Sequence, residues 1–308
     1  MKESGIDLPG ARQQNCNLFN SRYPIVAALM NQVSEETLAI AISKAGGFPS
    51  ISGYCYDSDD GIINALHCFV DATGSSDLIL GVDERSLLNE KLVNTIKDLQ
   101  ISHLLRYENE DPAISDTVRK EWRNITDKLL NELPCRRIQL RDNFNEIKVR
   151  NAIYFIKGND GAGRPGAAST RELFDYHREK TPEALLVPTG GIGTAAQVKY
   201  YLESGAVAVG CGTIFAAAEE SVLSQQTKER IIASTNKDLS RVDPRLNQLG
   251  LVFNKLSLDN LNNTASLKAG IKSSKNGLIF AGHAVDQINS IETVDVILRS
   301  LMGHLDKY

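Results

Sequence analysis

The sequence predicts a parallel α/β barrel of the TIM, or (β/α)8, type with a helical insertion after the eighth strand. Three observations carry this expectation. Strand-like and helix-like stretches alternate along most of the 308 residues, the pattern of a parallel sheet with crossover helices. Eight strand-like runs precede a long polar segment. The last two runs end in glycine clusters, Pro188-Thr189-Gly190-Gly191-Ile192-Gly193-Thr194 and Gly210-Cys211-Gly212-Thr213. Loops after the last two strands of such a barrel are where phosphate groups bind, because backbone N–H groups are exposed there.

The elements follow in order. Residues 24–28 are a short apolar first strand. Ser34 reads as an N-cap with Glu35 and Glu36 in the first turn, and the helix over 35–45 stops at Gly46-Gly47. Residues 48–52 and 78–82 are the second and third strands, and a helix over about 86–99 leads to the fourth, 101–106. The helix over 116–133 carries Trp122, Ile125, Leu129 and Leu130 at helical spacing, which predicts a core-facing stripe. Residues 137–140 and 152–156 are the fifth and sixth strands, and the link over 142–151 is too short for a full helix. Helices over 170–180 and 195–202 flank the seventh strand, 184–187, and the eighth is 206–209. The segment from about 222 to 266 is polar, with Asn and Ser clusters, and reads as helical. An apolar strand-turn over 277–283 and an amphipathic helix over about 291–304 close the chain. The expected organisation is a barrel from 20–221 and 270–308, with 222–269 as a lid-like insertion over its mouth.

Composition narrows the function classes. With 23 Gly, 9 Pro and 42% hydrophobic residues, the chain has an ordinary globular make-up and a core that needs no staples. The net charge of −4 and the scattered Lys and Arg give no footprint for nucleic acid. Cys16, Cys55, Cys68, Cys135 and Cys211 are odd in number and widely spaced, which argues against a disulfide framework or structural zinc. No apolar run approaches the roughly 20 residues that span a bilayer. The first 20 residues are polar and carry no signal-peptide pattern, so a cytoplasmic location and no membrane partner are expected.

Gly161-Ala162-Gly163-Arg164-Pro165-Gly166 formally matches a dinucleotide-binding GxGxxG. Its first glycine lies several residues beyond the strand end at Ile156, and Pro165 obstructs the close helix packing that the last glycine would permit. A glycine-rich loop at the barrel mouth is the better reading. The five histidines, His67, His103, His177, His283 and His304, have no metal-ligand spacing. Only His283 sits in a glycine turn at a mouth-like position. No GxSxG elbow or P-loop lysine occurs.

Several of these segments, in the same order, resemble the nitronate monooxygenase family, which includes flavin-dependent enoyl-thioester reductases. Pro24-Ile25-Val26-Ala27-Ala28-Leu29-Met30 is similar to its first-strand motif of proline, apolar residues and Ala-Pro-Met. Ser43-Lys44-Ala45-Gly46-Gly47 resembles the end of its first helix. Lys157-Gly158-Asn159-Asp160-Gly161-Ala162-Gly163-Arg164 resembles its loop of Gln-Gly, one residue, then Glu-Ala-Gly-Gly-His. Residues 189–192 and 210–215 resemble its Ala-Gly-Gly-Ile and Met-Gly-Thr-Arg-Phe phosphate motifs, and Glu220-Ser221 and residues 280–285 also fall in place. The likeness runs from about Tyr23 to Leu301 and is weakest over 111–149.

The resemblance implies FMN at the barrel mouth, with Ala27 and Ala28 behind the ring, Asp83 near a family asparagine that contacts flavin, and Ala162 beside the ring. Gly190, Gly191, Gly212 and Thr213 would bind the phosphate, with backbone contact from Gly210 and Cys211. Lys157 replaces the family glutamine and would stabilise negative charge at the flavin N1–O2 edge. Arg164 replaces a family histidine. Arginine does not shuttle protons near neutral pH, but it binds carboxylate, nitronate or enolate oxygens through its fork. The implied catalytic pair is Arg164 and Lys157. The implied activity is nitronate monooxygenase-like oxidation of a small carbanion-type substrate with oxygen. Two alternatives stand beside it: an NAD(P)H-dependent enoyl-thioester reductase of a fatty-acid or polyketide-type pathway, and a non-catalytic FMN-binding scaffold. The partners expected are a small-molecule or acyl-thioester substrate and a homodimer or biosynthetic assembly.

Overall fold

A computed structural model describes residues 18–31, 33–108, 114–147, 152–242, 248–252 and 278–303. Eight parallel strands form the central sheet: β1 (Ile25–Ala27), β2 (Ser50–Ser52), β3 (Ile79–Asp83), β4 (His103–Tyr107), β5 (Arg136–Arg141), β6 (Ala152–Lys157), β7 (Leu185–Thr189) and β8 (Val209–Cys211). Neighbours run β1-β8-β7-β6-β5-β4-β3-β2. The seam between β1 and β2 is closed by Phe48, whose N–H donates to the Ile25 carbonyl at 2.8 Å and whose carbonyl accepts the Ala27 N–H at 2.9 Å. The sheet is therefore a (β/α)8 barrel, as the alternating pattern predicts.

Alternation of side chains along each strand separates two environments. Val26, Ile79, Leu105, Ile138, Ile153, Phe155 and Val187 fill the barrel interior, while Ile25, Leu80, Leu104, Tyr154, Ile156, Leu186 and Val209 pack outward under the helices. Phe19 plugs the N-terminal end. It stacks on His103 at 5.3 Å between ring centroids and meets the edge of Phe48 at 4.9 Å. Burial, aided by Arg136, holds the His103 imidazole down at about 3, so it is neutral at physiological pH.

The covering helices are α1 (Glu36–Lys44), α2 (Asp59–Thr73), α3 (Glu90–Asp98), α4 (Asp116–Glu132), α5 (Thr170–Lys180) and α6 (Ala195–Glu203). Capping boxes at Ser169/Glu172 and Thr194/Gln197 start α5 and α6 immediately after the loops that matter for function. After β8 come the short α7 (Thr213–Ala216) and α8 (Gln225–Ile232), and α9 (Val294–Met302) packs against α6 and α1.

Four details differ from the sequence expectation. First, α2 fills a stretch that the strand-by-strand reading leaves unassigned. Second, the N-cap of α1 is Glu35, because the Ser34 hydroxyl instead accepts the Met30 N–H at 2.9 Å and closes the turn after β1. Third, α4 turns Thr126 and Leu130 inward, Trp122 is half-buried and Ile125 is 47% exposed. Arg106 reaches the Thr126 hydroxyl at 2.8 Å and fixes that rotation. Fourth, the segment after α8 has only one short 3-10 turn, Asn236–Asp238, in its described part and is otherwise built of strands. It forms β9 (Leu239–Val242) and β10 (Gln248–Val252), antiparallel to each other, with β11 (Leu278–Ile279) on the far side of β10. Leu239 and Val242 flank a polar pair and Leu249 and Leu251 alternate with Gly250, a strand-like rather than helical spacing. The helical expectation for 253–269 lies outside the described residues. Residues 142–147 contain no helix, which agrees with the short connection read between the fifth and sixth strands. No helix among the described residues is long and apolar enough to cross a membrane.

Candidate functional site

The C-terminal strand ends open on a cavity of about 1210 Å³. Ala28, Leu29 and Met30 enter it from the loop after β1, Tyr54 and Cys55 from the turn after β2, and Tyr107 from the end of β4. Burial raises the Tyr107 phenol, so it stays protonated. Leu140 and Val222 stand at the rim and are 43% and 41% exposed.

Lys157 ends β6, and its inward register follows from Ile153 and Phe155, which share its face. Its ammonium lies 3.7 Å from where a Cβ on Gly163 would stand, beneath the Gly161-Ala162-Gly163 loop. Removal from water lowers its pKa to about 8, and nearby Asp142 opposes that shift. Arg164 follows on the same loop, exposed but lining the cavity. The loop is clamped from above: the Gly163 N–H donates to the Leu249 carbonyl at 2.9 Å, and the Leu249 N–H returns to the Gly163 carbonyl at 2.7 Å. Arg241 of β9 reaches the Asn159 carbonyl at 3.3 Å. The segment after α8 thus bonds to the loop that follows Lys157 and carries Arg164.

Across the cavity floor lie the two glycine clusters. Gly190 and Gly191 take φ of +123° and +66°, backbone that side-chain-bearing residues rarely adopt. The Gln197 amide donates to the Gly191 carbonyl at 3.0 Å and accepts the Gly193 and Thr194 N–H groups, which fixes this turn on the start of α6. Gly212 and Thr213 open α7, and the Thr213 hydroxyl accepts the Gly282 N–H at 3.1 Å. The acidic residues described in the lining, Glu35, Glu108, Asp127 and Asp142, come from other sides of the barrel; none follows β7 or β8. A glycine cradle without a lining carboxylate fits a phosphate ester.

Ala28, Lys157, Ala162, Arg164, Gly190, Gly191, Gly212 and Thr213 therefore share one cavity. Ala27, Gly210 and Cys211 stand behind its wall. The Cys211 carbonyl accepts the Ala28 N–H at 2.8 Å, and burial pushes the Cys211 thiol up to about 12. Asp83 is not in the lining; its carboxylate accepts the Ser86 N–H at 2.9 Å and closes the turn after β3. His283 is exposed outside the lining, and its backbone N–H donates to the Asp160 carbonyl at 2.9 Å. Two residues to which no motif gave a role, Asp160 and Thr170, sit beneath the cradle. The signal for them was an acidic residue inside the glycine loop and a threonine at a helix start. Among the described residues, no group of three or more His, Cys, Asp and Glu forms a metal site.

No protein-family model matches the chain, and neither does any curated protein. Solved structures do match. FabK from Thermotoga maritima superposes with a TM-score of 0.76 at 18% identity, over 95% of each chain. Nitroalkane oxidase from Streptomyces ansochromogenes gives 0.72 at 18%, over 96% of this chain and 98% of that one. The enoyl reductase domain of MlnA, from the macrolactin biosynthesis cluster of Bacillus amyloliquefaciens, gives 0.65 at 12%, over 96% and 97%. At such identities the likeness establishes the shared fold.

Proposed function

We propose that this chain is an FMN-dependent oxidoreductase of the nitronate monooxygenase kind, acting on a small carbanion-type substrate at the barrel mouth. One observation carries the reading: a glycine cradle after β7 and β8, with no described carboxylate among its lining residues, shares a cavity with a desolvated lysine and an arginine. The fold neighbours include a nitroalkane oxidase and an enoyl reductase domain, the two activities that the sequence resemblance joins. Gly190, Gly191, Gly212 and Thr213 would hold the phosphate, and Ala28, Lys157 and Ala162 the ring. Bound flavin supplies reversible electron transfer.

The residues of the chain do the rest. Lys157, poised near neutrality, places a positive charge against an electron-rich edge and keeps a proton available at its Nζ. Arg164 orients an anionic or carbonyl oxygen of the substrate through its guanidinium fork and moves no proton. The clamp from β10 holds that arginine loop at the mouth.

A specific observation favours a second reading, an NAD(P)H-dependent enoyl-thioester reductase. The cavity of about 1210 Å³ exceeds the roughly 300–1,000 Å³ usual for one ligand, and Leu140 and Val222 offer an apolar rim for a chain. Anaerobic mixing of the flavin-loaded protein with NADH, NADPH or an alkyl nitronate decides between them. Bleaching by nitronate alone supports the first reading, and bleaching by a nicotinamide supports the second. Bound flavin that no donor reduces overturns both in favour of a scaffold.

A further inference from the structure

The Asp160–Thr170 pair lies under the glycine cradle, outside the cavity lining. Thr170 opens α5 and is fully buried. Its hydroxyl accepts the Gly158 N–H at 3.1 Å and donates to Asp160 Oδ1 at 2.5 Å, with the Thr189 carbonyl 3.2 Å away. The same carboxylate oxygen accepts the Thr170 N–H at 3.1 Å. The Asp160 carbonyl takes the His283 N–H at 2.9 Å. Four segments meet at this one pair: the loop after β6, the start of α5, the end of β7 and the turn after β11.

The cradle is moulded on the pair. A Cβ on Gly190 would stand 2.8 Å from Thr170 Oγ1, and one on Gly191 would stand 3.2 Å from Asp160 Oδ2. By charge alone, a carboxylate this close to an anion site opposes binding. Its hydrogen bonds from Thr170 give it a different task, which is to hold the backbone above it in one shape.

We propose that Asp160 and Thr170 are positioning residues for phosphate recognition: they set the Gly190-Gly191 backbone and tie it to the loop that follows Lys157 and carries Arg164. The inference rests on the FMN reading and deepens it.

The test compares FMN with riboflavin, which lacks the phosphate, by quenching of flavin fluorescence on the flavin-free protein. Wild type binds FMN more tightly. Thr170→Val keeps the shape and removes the hydroxyl; FMN affinity is expected to fall about 10- to 100-fold while riboflavin affinity stays within about threefold. Thr170→Ser restores most of the FMN affinity. Asp160→Ala separates position from charge, because loss of a nearby negative charge alone would tighten FMN binding, whereas loss of the support weakens it. Unchanged FMN affinity in Thr170→Val, or equal losses for both flavins, overturns the proposal. If Thr170→Val does not fold, the sign of the Asp160→Ala effect decides. A wild-type protein that binds neither flavin removes the FMN reading itself, and the proposal with it.

Discussion

Lys157→Met is expected to make the flavin-free protein more stable while impairing its function. The wild-type ammonium is drawn out of water at the end of β6, and burial lowers its pKa from 10.5 to about 8. Taken at face value that shift corresponds to about 3 kcal/mol of unfavourable desolvation. The side chain is half-buried and keeps some contact with solvent, so the net gain expected from Met is about 1–2 kcal/mol at pH 7. Methionine also suits the apolar wall formed by Leu140 and Phe155. The pH dependence identifies the cause. Between about pH 8 and 10.5 the unfolded wild-type chain binds more protons at this position than the folded one, so wild-type stability rises with pH across that window. The variant lacks this rise, and the gap between the two closes above it. Urea unfolding of both proteins at pH 7 and pH 10, without flavin, measures the difference. A variant less stable than wild type at pH 7, or a gap that does not change with pH, would refute the reasoning.

Three further outcomes are expected. Arg164→Ala should lower substrate-dependent flavin reduction or reoxidation about 30- to 1000-fold with flavin affinity unchanged, and Arg164→Lys should recover only part of it, as steady-state and rapid-mixing kinetics would show. Gly190→Ala should destabilise by about 2–5 kcal/mol, because φ is +123° and the new Cβ would lie 2.9 Å from the Gly161 backbone; Gly191→Ala, at φ +66° with its new Cβ 3.2 Å from the Asp160 side chain, should cost less, about 1–2 kcal/mol, in thermal unfolding. His103 has a folded pKa of about 3 against an ordinary 6.5, so the unfolded state takes up its proton first and stability drops as pH falls below about 6.5. His103→Phe, filling the same stack with Phe19, should flatten that acid-side decline in urea titrations.

The barrel was legible because its signal is redundant: eight strand-like runs, stop glycines and two glycine clusters agree with one another. The glycine cradle was legible for the same reason, since Gly190-Gly191 and Gly212-Thr213 are local motifs. What was not legible depends on relations between distant segments. Asp160 and Thr170 gain their roles only when β6, β7 and the turn after β11 are brought together. The strands Leu239–Val242 and Gln248–Val252 are short and lie in a segment rich in Asn and Ser, so the composition of their surroundings masks their spacing. The helix Asp59–Thr73 had readable ends, Ser58 as a cap and Gly74 at φ +67°, but it follows a three-residue strand that gives it little frame. Ile125 shows the limit of helical spacing, because Arg106 and Thr126 fix which face of α4 turns inward.

The central claim is that the ends of β7 and β8 bind the phosphate of FMN, and Gly212→Leu tests it most directly. Gly212 has no neighbour closer than 3.4 Å to a new Cβ, but its φ of −122° with ψ of −76° lies outside the helical and extended regions, so the variant should fold with a loss of about 1–3 kcal/mol. The added side chain would point toward Met30 and Ala28 and occupy the space above the backbone. The measurement is the equilibrium affinity of the folded variant for FMN beside that of wild type. A loss of about tenfold or more in a variant that stays folded at the assay temperature is the result expected. Wild-type FMN affinity in the folded Gly212→Leu protein would contradict the account.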